Sequence, residues 1–102
     1  MNDYQKSIVE DLIDSIKAER RKTSDQIIDA YHEKAYLEVK QTLDVIIKEK
    51  SIDEELVEAI TKPVLVKHRI DNTNEDVDEK IKKLNERSRQ LDVLAGKFQS
   101  YK

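Results

Sequence analysis

Apolar residues recur at helical spacing along most of the chain, and the clearest run lies near its end. Val77, Ile81, Leu84, Ser88, Leu91, Ala95 and Phe98 alternate steps of four and three, which is a sustained heptad seam. It predicts a long helix over about 74–100. Glu75, Asp76, Asp78 and Glu79 lie where the macrodipole favours acids, and the later part of the segment is basic. Asp76–Lys80, Asp78–Lys82 and Glu79–Lys83 are acid-before-base pairs four residues apart. Gly96 is either a late weak point or a C-terminal cap.

At the other end, Tyr4, Ile8, Val9, Leu12, Ile13 and Ile16 mark an apolar stripe from about Asp3 to Arg21. The stripe then stops, because Ala18 is the one apolar residue between Lys17 and Gln26. Arg20, Arg21 and Lys22 suit a helix C-terminus, and Thr23 with Gln26 makes a capping box. These signals predict a break near Lys22–Ser24. The rival is one continuous helix, since no Gly or Pro interrupts the segment.

A second helix is expected over about 24–50. Its core stripe is Ile27, Ile28, Tyr31, Ala35, Val39, Leu43, Ile46 and Ile47, with Leu37 and Val45 to the side. Ser51, followed three residues later by Glu54, reads as the next N-terminal cap. The element after it carries Leu56, Val57, Ile60 and Val64, and Pro63 predicts a kink in a helix reaching about His68. Asp71-Asn72-Thr73-Asn74 reads as a turn.

The sum is one all-α domain, 1–102: an antiparallel three- or four-helix bundle whose long members are 24–50 and 74–100. The shorter helices leave part of those lengths uncovered, so a homodimer or a partner protein is expected. Ser88 and Ala95 narrow the seam and point to close packing against the 24–50 helix. Val93 and Leu94 are then left for a partner. Tyr36, beside the expected core stripe, and Phe98 and Tyr101 near the end of the chain complete the candidate partner contacts.

Composition sharpens this picture mainly by exclusion. Of 102 residues, 40% are charged and 37% apolar, with one Gly, one Pro and no Trp, which suits long helices with short connections. There is no Cys, so disulfides, thiol nucleophiles and thiolate-bound zinc are ruled out. The two histidines, His32 and His68, read as surface or rim residues. His32-Glu33 opens like a zinc-protease motif, but Tyr36 stands where the second histidine belongs. The acidic run 71–79 lacks the glycine of a calcium loop. No Gly-rich phosphate loop is present. Neither a catalytic residue, a cofactor nor a metal site is expected, and the chain does not read as an enzyme.

Acids and bases are interleaved to a net charge of −3, so charge names no partner. Arg20, Arg21, Lys22, Lys80, Lys83 and Arg87 are candidate phosphate contacts for an alternative reading, a nucleic-acid-associated accessory protein acting as a dimer. The pI of 5.4 argues against it. No apolar run is long enough to span a membrane, and the polar N-terminus lacks a signal-peptide core. The leading expectation is a non-enzymatic interaction protein: a small cytoplasmic adaptor, inhibitor or antitoxin- or immunity-like regulator, of bacterial or phage composition. No motif carries a resemblance to a known family.

Overall fold

The computed structural model describes residues 2–70 and 76–100. They form three helices, α1 (Asp3–Lys50), α2 (Glu54–Lys67) and α3 (Val77–Gln99), with no strand among the described residues. The fold of the described residues is all-α, as expected. The expected turn at 71–74 lies outside the described residues. No helix among the described residues is long and apolar enough to cross a membrane.

The expected break near Lys22–Ser24 does not occur, and α1 runs unbroken for 48 residues. Thr23 is the reason. It is 1% exposed and stands on the same face as the buried Ile13 and Ile16, so it packs instead of capping. Arg20, on that seam, pairs with Asp92 of α3 at 2.8 Å. A heptad seam with polar members therefore carries the helix through the polar stretch.

The chain divides into two compact units, to which α1 and α3 both contribute. One unit contains the described residues up to Ile27 together with those from Lys82 onward. Here the stretch of α3 that carries Ser88 and Ala95 packs on α1 up to Ile27, whereas only the start of α3 meets the rest of 24–50. Ile13, Ile16, Thr23 and Leu84 are buried. Val9, Ile27, Ser88, Leu91, Ala95 and Phe98 are half-buried around them. Tyr4, Ile8 and Leu12, on the flank of the N-terminal stripe, are exposed. Gly96 lies inside α3 with ordinary helical sign of φ, so it does not cap.

Buried Thr23 is also a weak point. Its Oγ1 has no hydrogen-bond partner among the described residues, and the same holds for Gln26 Oε1. A hydroxyl taken out of water without a partner costs about 1–3 kcal/mol. Valine has the same shape and a similar helix propensity. Thr23→Val is therefore expected to stabilise the chain by about 1 kcal/mol, read as a higher urea midpoint with unchanged slope. A lower midpoint would show that the hydroxyl is satisfied.

The second unit, Ile28–Ile81, holds the rest of α1, all of α2 and the start of α3. Ala30, Glu33 and Ile81 are buried. The helix ends here use devices the sequence reading placed elsewhere. Ser51 is not an N-terminal cap: it ends α1 with φ 52°, and the Ile52 amide donates to the Ile47 carbonyl at 3.2 Å. Arg69, φ 54°, ends α2 the same way, with Ile70 N to Leu65 O at 2.9 Å and Arg69 N to Val66 O at 3.2 Å. Both are Schellman-type stops without glycine, and in each the residue after the left-handed position is a half-buried isoleucine.

Asp53 is the cap of α2, its carboxylate accepting from the Glu55 amide at 3.2 Å. Asp76 caps α3 through the Asp78 amide at 3.0 Å, and is not the first helical acid it was expected to be. Pro63 sits within α2, which runs through it to a C-cap at His68.

Candidate interaction surfaces

Within the second unit α1 presents three stripes on different sides of the helix. The first faces α2. Asp29 accepts from Arg69 at 3.0 Å, and the His32 and His68 rings meet edge to face with centroids 4.9 Å apart. Further along, Tyr36, Lys40, Asp44 and Ile47 line an open groove of ≈ 580 Å³ against Val57, Thr61 and Leu65 of α2. The order of these contacts makes α1 and α2 antiparallel. The groove also holds Lys62, Glu54 and Glu58, so its charges are mixed.

The second stripe faces α3. Ala30 is 1% exposed, and Glu33, beside it, has a side chain only 5% exposed whose Oε2 lies 3.3 Å from Lys80 Nζ. Lys34 donates to Asp78 at 3.0 Å, and that carboxylate holds the Lys34 ammonium above its ordinary range, chiefly through the hydrogen bond. Asp78 and Lys80 thus reach across to α1 and do not make the expected pairs along their own helix. Glu33 was missed in the sequence because a glutamate inside a polar run carries no apolar signal.

The third stripe is uncovered. Ile28, Tyr31, Val39 and Ile46 are 47–68% exposed, and Ala35 between them is exposed too. These residues made up most of the expected core stripe of the 24–50 helix, and that assignment is overturned. The covered face lies elsewhere because Ala30 and Glu33, not Tyr31 and Ala35, meet the neighbouring helix. On α2, Leu56, Ile60 and Val64 form a further exposed stripe, and no residue of α2 is buried.

The sequence-derived partner contacts fall in different places. Val93 and Leu94 are half exposed on α3, Tyr36 is half-buried in the groove beside α2, and Phe98 is half-buried on the seam. Tyr101 lies outside the described residues. The candidate phosphate contacts divide between the two units, with Lys80 in the second and the others in the first. Arg20 is paired with Asp92 and Lys80 with Glu33, while Arg21, Lys22, Lys83 and Arg87 are exposed. Glu86 and Arg89 pair one turn apart on α3, where the guanidinium hydrogen bonds draw the Glu86 carboxyl below its usual range. Such exposed pairs contribute little to stability.

No protein-family model, curated protein or solved structure matches the chain.

Proposed function

We propose that this chain is a non-enzymatic helical interaction module, which docks a partner helix along Ile28, Tyr31, Ala35, Val39 and Ile46. The observation that carries the reading is that stripe. Its spacing of three, four, four and seven is that of a packing seam, yet no other helix covers it. A contiguous apolar face on a charged helix is the usual mark of a binding surface. Tyr31 adds an aromatic of the kind that anchors interfaces. The partner helix belongs either to a second copy or to another protein. A small adaptor, inhibitor or antitoxin-like regulator would use such a face.

The double variant Val39→Glu, Ile46→Glu tests this. Each side chain removed from an interface forfeits about 1.5 kcal/mol or more, so association should weaken more than a hundredfold. Helicity and thermal midpoint should stay close to wild type, because neither residue packs inside the chain. Light scattering reads a self-partner as a halved mass in the variant. Capture from the native host reads a different partner as a band lost from the variant. Unfolding of the variant would mean the stripe is internal packing, and undiminished association would place the interface elsewhere.

A further inference from the structure

We propose that the occupant of the uncovered stripe of α1 is a second copy of this chain, laid antiparallel so that the stripes of the two copies form one seam. The proposal rests on reading that stripe as a docking face, and adds what docks there. Ile28, Tyr31, Ala35, Val39, Leu43 and Ile46 follow one another at steps of three, four, four, four and three. That series is the same from either end. Leu43 is half-buried at the margin of the stripe, and the other five are exposed. Turning the helix end for end about the level of Leu37 exchanges Ile28 with Ile46, Tyr31 with Leu43 and Ala35 with Val39. An interface between identical copies about a two-fold axis must be self-complementary, and this face is. A partner of unrelated sequence imposes no such symmetry on the face it binds.

In the antiparallel pair every apolar residue of the stripe lies level with an apolar residue of the second copy. The smallest, Ala35, falls beside the axis, where the two helices come closest. Charge favours the same direction. On the continuous α1, Arg21 and Asp25 stand one turn apart before the stripe, and Glu49 and Lys50 follow it; all four are exposed. The antiparallel pairing brings Lys50 of one copy level with Asp25 of the other, and Glu49 within a turn of Arg21. A parallel pairing in register would instead set each of these charges against its like. Opposed charges at the two ends of the seam thus select the antiparallel arrangement and fix its register.

Sedimentation of the wild-type chain at millimolar concentration should give twice the 12.0 kDa chain mass, falling on dilution. A chain that stays monomeric overturns the second copy, and leaves the docking face to be judged by loss of a different partner from Val39→Glu, Ile46→Glu. Thiols read the direction, since the sequence has no cysteine of its own. Helix axes about 8–10 Å apart bring facing Cα atoms within the span of a disulfide. Ile28 and Ile46 are about 27 Å apart along one helix, so neither can bond to itself in an antiparallel pair. Ile28→Cys and Ile46→Cys chains, mixed under a mild thiol oxidant, should give the mixed dimer in about tenfold excess over either self-dimer. Predominant self-dimers would mean a parallel pair and overturn the proposal. Asp25→Lys and Lys50→Asp should each weaken the dimer about tenfold, because each change touches two contacts per dimer, and both together should restore it. Without that restoration the register is wrong. A dimer that survives Val39→Glu, Ile46→Glu overturns the docking face itself, and the second copy with it.

Discussion

Leu84→Asp is expected to unfold the chain. Leu84 is 9% exposed in the unit where Ile13, Ile16 and Thr23 are also buried. Removing a buried leucine costs about 2–5 kcal/mol, and an ionised carboxylate in its place adds a desolvation penalty with no ligand to offset it. A chain of this size has roughly 5–15 kcal/mol of stability in all. The expected loss of about 5 kcal/mol or more takes most or all of that. Circular dichroism should show the helical signal reduced at 25 °C and no cooperative thermal transition. Val93→Asp on the same helix is the control: Val93 is half exposed, and the change should cost about 0.5 kcal/mol. A Leu84→Asp chain with full helicity and a native midpoint would remove α3 from the core.

The second large effect concerns a charge. Lys80→Met removes one ionic partner, the Lys80 ammonium, from the buried Glu33 carboxylate. Buried pairs broken on one side lose about 3–5 kcal/mol. Here the lysine side chain is 33% exposed, so water already screens part of the attraction, and about 2 kcal/mol is expected. The double variant Glu33→Met, Lys80→Met should recover most of that loss, because apolar replacement of a whole buried pair is often neutral or better. Urea denaturation of the three chains measures both effects. If Lys80→Met alone lies within 0.5 kcal/mol of wild type, the pair contributes nothing. If the double variant is as unstable as the single, the cost comes from lost packing or from the other interactions of Glu33, and not from the loss of the Lys80 charge.

The helix α3 was legible because its covered seam is apolar at every position but Ser88. Val77, Ile81, Leu84, Ser88, Leu91, Ala95 and Phe98 are all buried or half-buried, and the residues between them are exposed apart from half-buried Lys80. In α1 the same reasoning misled, for two physical reasons. Its covered positions include Thr23, Glu33 and Lys34, polar residues that pack or pair across to another helix and leave no mark in hydropathy. It also carries two apolar faces, and periodicity reports that a face is apolar without reporting which neighbour covers it. The stripe of Ile28, Tyr31, Val39 and Ile46 was visible for that reason, but its place was not. The meeting of His32 with His68 had no local signal, since it follows from how α2 folds back on α1.

The stops at Ser51 and Arg69 bear on the unfolded chain. A left-handed residue other than glycine is disfavoured by about 1–2 kcal/mol, so neither bend has a local preference to hold it. What offsets that cost is the covering of Ile52 and Ile70 once the helices meet. The reversals are thus conditional on burial, and nothing marks them while the chain is open. Nascent helix in the denatured ensemble would run past these positions unpunctuated, and connectivity would appear only together with packing.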